Sequence, residues 1–361
     1  MSQLPHTMKG VVLTAHGGFD RLTWREDLPV PLPGAGEVLI RVAASAVNNT
    51  DVNTRTGWYS KSVRGTTGSA DAEASAGADN DGGWSGRPLE FPRIQGADCC
   101  GAIETVGAGV SPNRIGERVL VRTLQATGAG GAPYATWTFG SECDGAFAEY
   151  TKTFAEHALP VRSTWSDVEL ASIPCAYSTA EGMLHRASVA AERVLVTGAS
   201  GGVGVAAVQL AKRRGADVTA LTSAAKAEEV RALGADAVIG RDDDLGRDTF
   251  EVILDLVAGP KWPELIAALR RGGRYVAAGA IAGPIVELDV RTLYLRDLTL
   301  FGSTYQPDSI LSDVIGYIER NEIRPVMAGT YPLSDLVEAQ KAFLRKDHVG
   351  KIGIVVGAGT I

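Results

Sequence analysis

Between Val194 and Gly204 the chain reads VLVTGASGGVG, an apolar run that breaks into glycines and is followed at once by the helix-like stretch VGVAAVQLAKRRGA. Gly198, Gly201 and Gly204 recur every third position. In a strand–loop–helix setting this spacing has a chemical reading. A glycine at 201 lets backbone N–H groups approach a pyrophosphate, a glycine at 204 lets the helix sit close to the strand, and the positive end of the helix faces the phosphates. The loop Gly198, Ala199, Ser200, Gly201, Gly202, Val203 and Gly204 is therefore expected to cradle a dinucleotide. A tight turn without a ligand would not need so many residues of high backbone entropy.

The kind of dinucleotide is read about 20 residues further on, where an NAD site carries an acidic residue for the ribose 2′-hydroxyl. Here the second strand ends Ala220-Leu221-Thr222-Ser223, without a carboxylate, and Lys226 and Arg241 follow. Ser223, Lys226 and Arg241 suit a 2′-phosphate, so the expected cofactor is NADPH/NADP. Gly279, at the end of the run RYVAAG, is assigned to the same site.

These residues need elements to hold them. From Val194 onward strands alternate with helices: RVLVTG, a helix, DVTALT, the stretch AAKAEEVRALGA, AVIG, EVILDLV, a helix over about 261–271, RYVAAG and LTLFGS. Repeated βα units imply an α/β fold with a doubly wound parallel sheet. The first ~150 residues are different, with short apolar runs broken by Gly and Pro and little helical period, the pattern of a β-rich, barrel-like domain. Within them, Gly65 to Gly86 is rich in Gly, Ala, Ser and Asp and nearly free of large apolar groups. It is expected to be a surface insertion, with a lid over the active site as the functional alternative. A helix with Ile310, Val314, Ile315 and Ile318 on one face and a last strand KIGIVV are expected to return to the first domain.

The totals exclude several functions. A chain of 361 residues fits two domains. A net charge of −7 without a basic stripe argues against nucleic acid. No apolar run approaches a membrane span, and the N-terminus lacks a signal core. Cys99, Cys100, Cys143 and Cys175 are too few for a disulfide scaffold. A cytoplasmic enzyme acting on a small molecule is expected, with no nucleic-acid or membrane partner. His6, His16, His157, His185 and His348 are scattered without ligand spacing. Leu298 to Thr304 reads as an apolar edge strand that would pair with its twin across a two-fold axis, giving a homodimer.

Taken together, the segments GEVLIRVAASAVNNTD, GADCCGAIETVGAGVSPNRIGERVLV, VTGASGGVGVAAVQLAKRRGA, RALGAD and HVGKIGIVV resemble the medium-chain dehydrogenase/reductase superfamily, within it the zinc-free, quinone-oxidoreductase-like branch. The resemblance spans nearly the whole chain. It implies a GroES-like catalytic domain over 1–163, rejoined by 304–361, and a Rossmann domain over 164–303. Zinc-binding members use a Cys, a His in a Gly-His-Glu stretch and a third residue, often Cys. Here those positions hold Asn48, Ala97 (in Gly96-Ala97-Asp98) and Cys175, and no catalytic or structural metal is expected. The zinc-free branch carries an Asn in V-N-x-x-D and a Tyr after Arg-x-Gly. Both patterns match, at Asn48 and Tyr59, which the resemblance makes donors to a substrate oxygen, with Tyr59 also a proton source. Asp51 is read as a helix cap. The expected function is NADPH-dependent, zinc-independent reduction of a quinone, activated alkene or small carbonyl. The alternatives are an NADPH-binding protein without turnover and an alcohol dehydrogenase.

Overall fold

The computed structural model describes residues 4–67, 78–126 and 134–357. The strands Arg193–Val196, Asp217–Leu221, Ala237–Ile239, Phe250–Asp255, Leu269–Ala277 and Thr299–Gly302 form one sheet. Every pairing in it is parallel. Numbered along the chain, the strands lie in the order three-two-one-four-five-six, which is the doubly wound Rossmann order and puts the switch point between the first and fourth strands. Both faces are covered. Val194, Val196, Val252 and Leu254 face a core shared with the helices Pro174–Arg186 and Gly202–Arg213. Leu195 and Ile253 point the other way, to Trp262 and Leu265. This period-two alternation with apolar residues on both sides is what a sheet buried on two faces requires.

The other large sheet is mixed and forms the GroES-like part. Its central strand Glu37–Ala46 pairs antiparallel with Cys100–Val106, Tyr150–Phe154 and Lys351–Val355. The neighbouring thiols Cys99 and Cys100 are buried in two different apolar clusters, as opposite-facing strand residues must be. Among the described residues no helix is long and apolar enough to cross a membrane.

Several expectations need correction. The helix expected over 261–271 ends at Ala268. Leu269 already pairs with Phe250 in the sheet, and Gly272 has φ +70°, which interrupts any helix. The stretch AAKAEEVRALGA forms only a 3₁₀ turn, Ala224–Lys226, and the short helix Ala227–Arg231, with Gly234 at φ +110° ending the segment. The helix Ser309–Glu319 does not return to the first sheet. Its buried face, with Leu311, Val314, Ile315 and Ile318, joins the core of helix Pro174–Arg186 on the cofactor side. The return is made by strand Met327–Pro332, helix Leu336–Arg345 and strand Lys351–Val355.

The ends of the Gly65–Gly86 insertion are anchored. Thr67 donates its N–H to Ile281 O at 3.1 Å, across to the loop after strand Leu269–Ala277. At the other end the helix Ala78–Asp81 leads into a tight turn, with Gly83 N donating to Arg87 O and Gly86 N to Gly83 O, both at 2.9 Å. The middle, 68–77, lies outside the described residues.

Candidate active site

A cleft of about 1430 Å³ runs between the two sheets and takes its lining from both. One wall is the glycine loop at the switch point. Gly198 has φ +58°, open only to glycine without strain. A Cβ at Gly204 would collide with the Gly198 carbonyl and the Ala199 backbone. One at Gly279 would meet Leu256 O at 2.6 Å. Gly198, Ser200, Gly201, Gly202, Val203, Gly204 and Gly279 line the cleft. Ala199 does not; it is fully buried, and its N–H donates to Leu221 O at 3.2 Å. The loop is braced from below by Asp255, which accepts from Thr197 Oγ1 at 2.6 Å and from the Tyr275 hydroxyl. It leaves helix Gly202–Arg213 beginning at the cleft, with its first-turn N–H groups open to an anion. These features fit a dinucleotide pyrophosphate.

At one end of the cleft basic groups converge. Lys226 and Arg241 line it, and Lys346 and His348 join them from the other domain. Lys226 Nζ donates to the Lys346 carbonyl. Lys346 Nζ reaches Asn49 Oδ1 at 3.1 Å and lies 3.5 Å from the Phe343 ring centre. Burial and then the Lys226 charge push the Lys346 ammonium down to about 7. Burial lowers Lys226 as well, and Arg241 adds to it. Ser223 is not among the cleft-lining residues; its carbonyl accepts the Lys226 N–H at 3.0 Å. The sequence reading left His348 among the scattered histidines and did not single out Lys346, because both lie more than a hundred residues from Lys226 and in another domain.

On the floor is a buried polar cluster. Asn48 precedes helix Asn49–Thr56, and its backbone N–H donates to Asp51 Oδ2 at 2.8 Å, so Asp51 caps the helix as expected. Asp51 also accepts from Gly96 and Ala97 N–H groups, while burial pushes its carboxyl up to about 7. The Asn48 amide is fully engaged. Its Nδ2 donates to Asp98 Oδ2 at 2.7 Å and to Ala46 O at 3.2 Å, and its Oδ1 accepts from Lys351 Nζ. Lys351 also donates to Asp98 Oδ2 at 2.8 Å and Val47 O at 3.1 Å. Three acceptors thus meet the three ammonium hydrogens. Asp98 is 0% and Lys351 2% exposed. Cys175 closes the cluster, its N–H donating to Asp98 Oδ1 at 2.7 Å, and burial pushes its thiol well up. The stem of Lys351 lies on the glycine loop, since a Cβ at Gly202 would be 2.5 Å from Lys351 Cδ, and Gly350 N donates to Ser200 O at 2.9 Å. Among the described residues no group of three or more His, Cys, Asp or Glu is arranged to hold a metal ion. A neutral amide, an alanine and a single thiol, with an ammonium between the amide and Asp98, do not fit a four-coordinate zinc site.

Tyr59 lies at the opposite wall, half-buried, its hydroxyl donating to Thr50 Oγ1 at 3.2 Å. Burial raises its pKa, so the phenol keeps its proton. Its ring meets Trp58 and Trp84 edge-on, with centroids at 5.8 and 6.4 Å. The structure therefore brings Tyr59, Asn48, the glycine loop, Lys226, Arg241 and Gly279 to one cleft, and adds Lys351, Asp98, Thr50 and Trp84, which sequence reasoning missed.

Comparison with known proteins agrees with this architecture. Residues 34–163 match the alcohol dehydrogenase GroES-like domain, and residues 202–320 match the family described as zinc-binding dehydrogenase. A solved structure from Sinorhizobium meliloti 1021, provisionally described as an alcohol dehydrogenase, is 43% identical with a TM-score of 0.88, covering 99% of each chain. An acryloyl-coenzyme A reductase of Sulfurisphaera tokodaii is 28% identical over 91% of this chain and 94% of its own. A quinone oxidoreductase of Lama guanicoe is 29% identical over 92% of this chain and 93% of its own.

Proposed function

The chain belongs to the medium-chain dehydrogenase/reductase superfamily and is an oxidoreductase; from that premise we propose that it uses NADPH to reduce a quinone, activated alkene or small carbonyl, without zinc. The observation that carries this reading is the single cleft, which joins the glycine loop, a basic end and Tyr59 above a floor cluster unsuited to metal. The basic end, with Lys226, Arg241 and Lys346, suits a 2′-phosphate, and Ser223 stands where an NAD site carries a carboxylate. The names of two relatives, a quinone and an acryloyl-coenzyme A reductase, favour electron-poor acceptors.

When bound, the nicotinamide supplies the hydride; the protein's task is to orient the acceptor, exclude water and supply one proton. Tyr59 is the donor to the developing negative oxygen and the acid: its one O–H turns from Thr50 Oγ1 to the substrate, and the Thr50 hydroxyl can then donate to the phenol oxygen and hold it in place. Asn48 takes a different role from the one its motif suggests. With both amide hydrogens and its oxygen in use, it positions the floor through Lys351 and Asp98, and donates nothing to substrate.

The reading is tested by mixing the purified protein with NADPH and a panel of quinones, enones and aldehydes and following loss of the reduced nicotinamide absorbance. Turnover with at least one class supports it. NADPH binding with no consumption across the whole panel would instead favour a binding protein.

A further inference from the structure

The cleft has two chemically different ends. Beyond the basic cluster and the glycine loop, its far end is walled by Trp58, Tyr59, Trp84, Leu89, Leu124 and Trp137. Trp84 comes from the insertion and is held firmly. It sits in the turn closed by Gly83, Gly86 and Arg87, and the next residue, Ser85, donates its N–H to Glu142 Oε1 at 2.7 Å. The second oxygen of Glu142 accepts from Thr138 N at 3.0 Å, beside Trp137. Trp58 is fixed as well, its Nε1 donating to Gly65 O at 3.1 Å, two residues before the Thr67–Ile281 bond that straps this wall to the cofactor domain. The Trp58 and Trp84 ring planes stand at 76° and 73° to that of Tyr59. Rings in fixed orientations contact another ring edge-on or offset, gaining more than area alone would give.

Charge is the second observation. Among the described residues lining this end the cationic side chains are Arg87 and Arg93, and Arg93 is bound to Asp144 at 2.9 Å. Among the described residues these two arginines, one of them paired, do not supply the convergent cations that the several phosphate charges of a coenzyme A thioester need. Tyr59 and the Lys351–Asp98 floor lie along the same cleft, so a bound ring brings a carbonyl conjugated to it within the reach of the reacting groups.

We infer that the substrate is an uncharged conjugated carbonyl compound carrying an aromatic ring, held by Trp58 and Trp84, and not an acyl-coenzyme A. This rests on the reductase reading above and narrows it. Trp84 is a specificity-determining residue supplied by the insertion.

Two measurements separate this inference from that reading. Intrinsic tryptophan fluorescence is titrated with 4-phenyl-2-butanone, a saturated ketone that cannot accept hydride at a double bond, against 2-butanone and free coenzyme A. Steady-state kinetics then compare benzylideneacetone, methyl vinyl ketone and crotonyl-coenzyme A in wild type, Trp84→Leu and Trp84→Phe, with NADPH affinity as the folding control. The expected results are aryl-ketone binding roughly tenfold tighter than the alkyl ketone, a roughly tenfold loss for the aryl ligand in Trp84→Leu, recovery in Trp84→Phe, and a clearly smaller loss for methyl vinyl ketone. Preference for crotonyl-coenzyme A, or equal losses for aryl and alkyl ligands in Trp84→Leu, would overturn the inference and leave the reductase reading standing. Tight ring binding with no NADPH consumption by any compound would keep the ring site and overturn the reductase reading.

Discussion

Lys351 Nζ lies 2.8 Å from Asp98 Oδ2, and the pair is closed off from solvent on the floor of the cleft. The two residues stand 253 positions apart, Asp98 just before strand Cys100–Val106 and Lys351 at the start of strand Lys351–Val355, and Lys351 also rests on the glycine loop at Gly202. One ammonium therefore ties the phosphate loop to Asn48 and Asp98.

Removing that ammonium while keeping the volume should be costly. Lys351→Met leaves Asp98 and the Asn48 carbonyl oxygen without their buried donor, and breaking a buried pair from one side costs about 3–5 kcal/mol. The double variant Lys351→Met/Asp98→Asn should regain much of this, because no charge is left unpaired. Denaturant unfolding of the four species measures it; single losses that simply add in the double variant would show that the pair is not coupled.

Tyr59→Phe should reduce turnover and leave NADPH affinity unchanged. Losing one donor to a developing oxyanion costs on the order of 2.7–4 kcal/mol, roughly a hundredfold or more in rate. Thr50→Val, which removes the acceptor that orients the hydroxyl, should give a smaller loss. Full activity in Tyr59→Phe on every working substrate would remove Tyr59 from the reaction.

Cofactor choice should depend on pH through Lys346. Burial and Lys226 depress its ammonium to about 7, so in the free protein it loses charge as pH rises through that value. A 2′-phosphate favours the charged form, so binding NADPH above pH 7 must take up a proton, and affinity falls as pH rises. NADH carries no such group and should show a flat profile. Fluorescence titrations at several pH values test the sign, and Lys346→Met should weaken NADPH binding roughly tenfold and flatten its curve. Parallel profiles for the two cofactors would count against the basic end as the phosphate site.

Some of this was legible in the sequence and some was not, for physical reasons. The glycine loop could be read because its strand, turn and helix are contiguous and each glycine answers a local steric demand, at Gly198 a positive φ and at Gly204 a close approach. Lys226 and Arg241 were legible because they follow known strand ends. Lys351 was not, since its partner Asn48 is 303 positions away and only the antiparallel pairing of Lys351–Val355 with Glu37–Ala46 brings them together. The same holds for Lys346 beside Lys226. For Asn48 the motif identifies a side chain and not the partners that engage its amide, Asp98, Ala46 and Lys351. Helix Ser309–Glu319 was placed on the wrong side because an apolar face does not say which core will cover it.

The strand Thr299–Gly302 ends the cofactor sheet, and its outer edge has no partner strand among the described residues. Val290, Tyr294 and Leu295 of the preceding helix are exposed beside it. Pairing with a second copy would satisfy the edge and cover this apolar surface, so light scattering at micromolar concentration should give a homodimer. Tyr294→Glu should shift it toward monomer. A monomeric wild type would contradict this.

The central claim is that an NADPH-dependent reduction proceeds in this cleft without zinc. Its most direct test is to quantify zinc by elemental analysis and NADPH oxidation with an accepted substrate on one and the same sample, before and after exhaustive treatment with a chelator. The account predicts far less than one zinc per chain and a rate that chelation leaves unchanged. Stoichiometric zinc together with activity that disappears on chelation and returns when zinc is restored would contradict it.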